Sequence, residues 1–188
     1  MNELYLTFDM ETYHKEIPLK GNFDQYKEYA DPITIHFQEV DIITGFPKGP
    51  FTILKKWENP DLLELFAQRL RSSRQFKLVL IGVNPKEFDL PILKNAFKRA
   101  EIKTDYPFDN PFALDLRTIR ILQNKGRFDK DWLVMGSDNH LGDKIKIWYE
   151  TEQYQKIVDY VEEEQRQFLS WFQEILKTLP RPLGQRDS

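Results

Sequence analysis

Leu4-Tyr5-Leu6-Thr7-Phe8 and Ile33-Thr34-Ile35-His36-Phe37-Gln38-Glu39-Val40 carry period-2 patterning rich in apolar, aromatic and β-branched residues, which predicts two strands. Turn residues follow between Asp41 and Gly49, including Gly45 and Pro47, and Phe51-Thr52-Ile53-Leu54 then offers a third strand hairpinned to the second. Asn59-Pro60-Asp61 sets a capping residue and a first-turn proline ahead of Leu62, Leu63, Leu65, Phe66 and Leu70, whose spacing is helical. The unbroken apolar run Leu78 to Val83 predicts a central strand covered on both faces. A helix is predicted from about Leu90 to Ala100, and Phe112-Ala113-Leu114 leads into another near Leu116–Leu122. From about Glu152 to Leu179 a long helix can turn Ile157, Tyr160, Val161, Phe168, Phe172 and Ile175 to one side.

The order is thus β-β-β-α-β-α-β-α followed by helices, which predicts an α/β fold with a mixed β-sheet flanked by helices, the element order of the ribonuclease-H-like fold. No internal repeat or low-complexity linker interrupts it. One domain over residues 1–180 is expected, with 181–188 as a loose C-terminal tail. Thr12 to Asp31 is a long connection for so small a domain, and such loops are often functional.

Composition narrows the chemistry. Cysteine is absent and there are only three histidines, so any metal must be held largely by oxygen. No segment has the apolar length of a membrane helix or the pattern of a signal peptide, so a cytoplasmic protein without a membrane partner is expected. The net charge of −3 hides a basic stretch of +7 over residues 67–130 between acidic ends. Arg69, Arg71 and Arg74 read equally well as a helix C-terminus, so charge alone does not decide for nucleic acid.

Carboxylates at strand ends say more. Asp9 and Glu11 close the first strand one residue apart and leave the same face, where together they could grip a hard cation. A second acid, Asp89, stands where the apolar strand runs through Asn84-Pro85-Lys86-Glu87-Phe88 into a helix; alone it reads as a helix cap. Tyr160 and Glu164 are i,i+4 neighbours on the last helix, where a plain polar face would also explain them. Asp115, just before Leu116 and Arg117, reads as a helix cap rather than a further ligand. Acids converging in this way would repel one another unless divalent cations lay between them.

Taken in order, these motifs resemble the DEDD 3′→5′ exonucleases, and within them the tyrosine-bearing branch that includes the proofreading domains of B-type DNA polymerases. Phe8-Asp9-Met10-Glu11-Thr12 is similar to the first motif, and Asn84-x-x-x-Phe88-Asp89-Leu90-Pro91 to the second. Tyr160-x-x-x-Glu164 stands for the third, with glutamate where the family has aspartate, and His140-Leu141-Gly142-Asp143-Lys144 resembles the Leu-Gly turn before it. The histidine-bearing branch does not fit.

The resemblance implies two divalent ions, Mg2+ or Mn2+, with Asp9 bridging them, Glu11 and Glu164 on the ion that holds the attacking water, Asp89 on the other, and Tyr160 orienting the water. It also implies nucleic-acid contacts at Thr12 and Tyr13, and Asn84 and Lys86 lie beside the second motif. Lys15, Lys20, Lys27, Phe23 and Tyr26 in the long connection suit a single strand, although the two aromatics could equally pin the loop to the core. The expected activity is metal-dependent 3′→5′ exonucleolytic hydrolysis of single-stranded nucleic acid, DNA before RNA, with a polymerase or other replication or repair protein as a possible partner. The alternative is a catalytically weak relative that binds nucleic acid or a partner protein, because glutamate at 164 reaches about 1.5 Å farther than aspartate.

Overall fold

The computed structural model describes residues 2–17, 22–72, 76–123, 125 and 141–179. Five strands, β1 (Asn2–Tyr13), β2 (Asp31–Glu39), β3 (Thr52–Lys55), β4 (Phe76–Gly82) and β5 (Ala113–Asp115), form one sheet in the order β3-β2-β1-β4-β5. β2 is antiparallel to β1 and β3, while β1, β4 and β5 run parallel. A meander of three strands extended by two crossovers is the ribonuclease-H-like arrangement, as the order of elements predicts. Six helices accompany it among the described residues: α1 (Phe23–Tyr29), α2 (Leu62–Ser72), α3 (Asp89–Arg99), α4 (Leu116–Gln123), α5 (Leu141–Glu150) and α6 (Tyr154–Thr178). None is long and apolar enough to cross a membrane.

Three expectations need correction. β1 runs on to Tyr13, so Asp9 and Glu11 stand inside the strand rather than at its end. The connection from Thr12 to Asp31 holds a short helix, α1, which the polar Asp24, Gln25, Lys27 and Glu28 disguised. Leu141 and Gly142 open a helix of their own, α5, and the last helix begins only at Tyr154 after a break at Thr151–Gln153. His140 and the tail from Pro180 lie outside the described residues.

The two faces of the sheet are built differently. On one, Leu6, Phe8 and Met10 of β1 join Ile35 and Phe37 of β2 and Leu80 of β4 in a continuous apolar core with Leu62 and Phe66 of α2 and Leu90, Leu93 and Phe97 of α3. Phe66 stacks at 5.6 Å on Phe8 and meets Phe37 at the same distance. On the other face α6 has two separate apolar footings. Ile157 and Val161 pack with Ile33 and Ile145, and Phe168, Phe172 and Ile175 pack with Val40, Ile81 and Leu116. Between them the strands are polar.

Candidate active site

That polar gap follows from strand periodicity and register. Thr7, Asp9 and Glu11 alternate with the apolar residues of β1, and their cross-strand partners on β2 are Gln38, His36 and Thr34. All six therefore share one face, beneath α6. After Glu11 the register skips Ile33, pairing Thr12 with Pro32, and such an irregularity bends the strand. The second acid arrives on β4, whose last residue, Gly82, lies so close to β1 that a Cβ there would stand 2.7 Å from the Phe8 carbonyl oxygen. Only glycine permits that approach. Beyond it, Asn84 adopts a left-handed φ of 58° and its N–H donates to Asp115 Oδ1 at 2.9 Å, fixing the turn that delivers Asp89.

Asp89 is not a cap. It is the first residue of α3, whose preceding residue is Phe88, it is 3% exposed, and its Oδ1 has no hydrogen-bond partner. Asp115 is the cap expected: its Oδ1 also accepts from the Arg117 N–H at 2.9 Å and its Oδ2 from the Thr118 hydroxyl at 3.1 Å. It belongs to α4 and to the turn, not to the carboxylate group.

Glu11, Asp89 and Glu164 instead feel the charges of neighbouring acids, Asp9 among them. Desolvation, then the charges of Glu164, Asp9 and Asp89, push the Glu11 carboxyl well above its ordinary range. Asp89 is raised well above its range by burial and by the charges of Asp9 and Glu164. Glu164 is pushed up to about 8 by burial and by Asp9, against hydrogen bonds from Tyr160 and Glu11 that pull it down. Tyr160 donates its hydroxyl to Glu164 Oε1, and burial followed by the surrounding carboxylates raises it, so it stays a phenol. The other oxygen, Glu164 Oε2, is buried without a hydrogen-bond partner, and a hydrogen bond between the Glu11 and Glu164 carboxyls raises the one acid and lowers the other. Asp9 differs: its side chain is 45% exposed, and its Oδ1 accepts from the Met10 N–H at 2.9 Å.

The donor set suits hard divalent cations. It is all oxygen, it is crowded with acids whose ionised forms repel, and Asp89 Oδ1 is buried without a donor. Among the described residues the acids are not drawn into a closed cage, with no group of three or more gathered closely enough to hold an ion as they stand.

The proposed substrate residues do not all face this cluster. Thr12 shares a hydrogen bond of 3.0 Å with the Tyr26 hydroxyl, and Tyr13 donates to Glu150 at 3.0 Å while its ring meets Tyr149. Tyr26 is buried in the core, and Phe23 stacks on Phe88 at 5.6 Å, so the aromatics of the long connection pin it in place. Lys20 lies outside the described residues. Asn84 and Lys86 line an open cleft of about 450 Å³ with Arg117 and Thr118, between the second-motif turn and α4.

His36 and Gln165 were not singled out by sequence. His36 is 2% exposed, with Nε2 3.6 Å from Asp9 Oδ2. Gln165 donates to the Thr7 hydroxyl at 3.1 Å and to Gln38 Oε1 at 3.0 Å, tying α6 to both strands one residue beyond Glu164. A small cavity of about 20 Å³ lies among Thr7, Asp9, His36, Glu164, Gln165 and Phe168. The signal for His36 was the polar half of the second strand's alternation, and for Gln165 a glutamine on the buried stripe of α6.

No family model matches the chain, and no curated protein does. Several solved structures of exonuclease I are similar to it. One, described as suggesting how processivity is achieved, is 17% identical with a TM-score of 0.45 over 64% of this chain and 30% of that one. The zinc-bound complex of E. coli exonuclease I with single-stranded DNA is 16% identical, TM-score 0.45, over 70% and 33%. A product-bound exonuclease I is 16% identical, TM-score 0.45, over 70% and 35%. The chain thus spans about a third of the length of these proteins. So slight a likeness carries no argument about chemistry, which rests on the carboxylates of the chain itself.

Proposed function

We propose that the chain is a metal-dependent 3′→5′ exonuclease of the DEDD type, hydrolysing phosphodiester bonds of single-stranded nucleic acid, DNA in preference to RNA. One observation carries the reading: Asp9 and Glu11 stand on the polar strip of the sheet beneath α6, and Glu11, Asp89 and Glu164, from three distant parts of the sequence, all feel the charge of Asp9. A structural domain gains nothing by burying acids that raise one another's pKa.

Two Mg2+ or Mn2+ ions, when bound, would supply Lewis acidity at the phosphate and a lowered pKa for the attacking water. Asp9 would serve both ions, Glu11 and Glu164 would share one and Asp89 would hold the other. Metal binding would displace protons from Glu11, Asp89 and Glu164, whose neutral forms burial favours. Tyr160, kept as a phenol, would have a hydroxyl proton with which to orient a nucleophile. Membership of the tyrosine-bearing branch rests on Tyr160-x-x-x-Glu164. Lys86 in its cleft would attract the phosphate backbone, and a replication or repair protein would present the strand.

Incubating end-labelled single-stranded DNA and RNA with magnesium, manganese or chelator tests the reading. Stepwise shortening from the 3′ end, abolished by chelator, is the expected result. Degradation from the 5′ end, or none with either metal, would sink it in favour of a binding module.

A further inference from the structure

We infer that His36 is a positioning residue that limits the rotation of the Asp9 carboxylate and so favours metal binding there, an inference that rests on the reading of Asp9 just given. His36 and Asp9 are directly opposed across β1 and β2, so their Cβ atoms lean from the same face of the sheet. Asp9 Oδ1 is held by its neighbour's N–H, which leaves Oδ2 to be fixed, and Oδ2 is the oxygen that faces His36 Nε2 at 3.6 Å. On its far side the imidazole meets the edge of Phe51, with 5.9 Å between ring centres, and Nδ1 finds no partner.

A fully buried imidazole with one ring nitrogen unpartnered is costly at a place where phenylalanine or leucine would pack. The three rungs of the polar face explain its presence. At the first, the Thr7 hydroxyl donates to the Gln38 carbonyl oxygen at 3.3 Å while Gln165 donates to Thr7 and to Gln38 Oε1; at the third, the Thr34 hydroxyl accepts from the Glu11 N–H at 3.2 Å. Each residue of β2 thus supports the β1 residue opposite, and the middle rung is the one that supports a carboxylate. Asp9 needs that support because its side chain is 45% exposed and little packing confines it. A partner that fixes a ligand typically changes metal affinity by 10–100-fold.

Two measurements test this. In chelator, unfolding midpoints are taken for His36→Leu, Asp9→Asn and the double variant; coupling predicts a combined shift that differs from the sum, and additive shifts overturn the inference. Manganese binding is then read by electron paramagnetic resonance, without substrate. His36→Leu is expected to bind about tenfold or more weakly. His36→Gln, whose Nε2 falls near the imidazole Nε2, should restore most of that loss. A leucine variant that binds manganese as the unaltered chain does overturns the inference, since a packing role alone would lower the midpoint and spare the affinity. If the unaltered chain shows no manganese binding that depends on Asp9, the functional reading fails by itself, and the chelator cycle decides His36 alone.

Discussion

The two faces of the sheet are made by the same strands, residue by alternate residue, yet they do opposite work. The face toward α2 and α3 is an unbroken apolar core centred on Phe8, Phe37 and Phe66. The face toward α6 breaks its core in two and sets Thr7, Asp9, Glu11, Thr34, His36 and Gln38 in the gap. The first face holds the larger continuous core, and the second holds the residues to which the proposed chemistry is assigned. Helix α6 can span the gap because apolar anchors hold it at both ends, and Gln165 bonds Thr7 and Gln38 between them.

The largest effect should come from one substitution on each face. Asp9→Ala is expected to reduce cleavage to background while leaving the unfolding midpoint unchanged or raised, because it removes an acid that raises its neighbours. Phe66→Ala should do the reverse, costing about 3–5 kcal/mol of stability while the folded fraction keeps its turnover. Rate and thermal midpoint measured together for both variants check the division. An Asp9→Ala protein that still shortens single strands at the normal rate removes the metal assignment.

How far the sequence disclosed this follows from the same alternation. The strands and the long helices announce themselves because burial demands apolar residues at fixed periods, and the carboxylates because acids are conspicuous beside apolar runs. Helix α1 was hidden because only one of its residues, Tyr26, is buried, leaving no periodic stripe to read. Thr12 and Tyr13, expected to meet substrate, bond Tyr26 and Glu150 just beyond the irregularity that follows Glu11, and such an irregularity has no signature in one strand's sequence. His36 and Gln165 went unnoticed because a polar residue acquires its meaning from what the fold sets opposite it.

Glu164 sharpens the comparison next. If its longer side chain is a true ligand, Glu164→Gln should lower the rate on the order of 10²-fold. Glu164→Asp should keep measurable activity. A protein that only binds nucleic acid would be indifferent to the glutamine and would gain cleavage, if anything, from the aspartate. Steady-state rates on a labelled oligonucleotide, with manganese titrated, distinguish the two. A smaller loss, about tenfold to a hundredfold, is expected for Tyr160→Phe, which removes only a hydroxyl that now donates to Glu164. Its manganese affinity should stay as it is, so a fall in affinity would make Tyr160 a support for Glu164 rather than a group acting on water.

The smallest effect concerns stability against pH, and it separates the faces without any substrate. Burial and Asp9 raise Glu164 from an ordinary 4.5 to about 8, and Glu11 and Asp89 are raised too. A carboxyl raised on folding binds its proton more tightly in the native state, so its contribution is complete below the unfolded value and is lost as pH climbs through the folded one. In chelator the unfolding midpoint should therefore decline between pH 4.5 and about 8. Asp41, lowered to about 2 by the Thr44 N–H and by Lys48, contributes in the opposite sense, but at more acid pH than this window. Glu164→Gln should flatten the decline, whereas Phe66→Ala, in a core without carboxylates, should lower the whole curve and keep its slope. Saturating manganese should oppose the decline, and by more at higher pH, because the ligands must lose their protons to bind it. Thermal scans of the three proteins across that window, with chelator and with manganese, provide the check. A glutamine variant whose slope matches that of the unaltered chain would place the proton elsewhere than on Glu164, and the polar face would lose its claim to be a site under electrostatic strain.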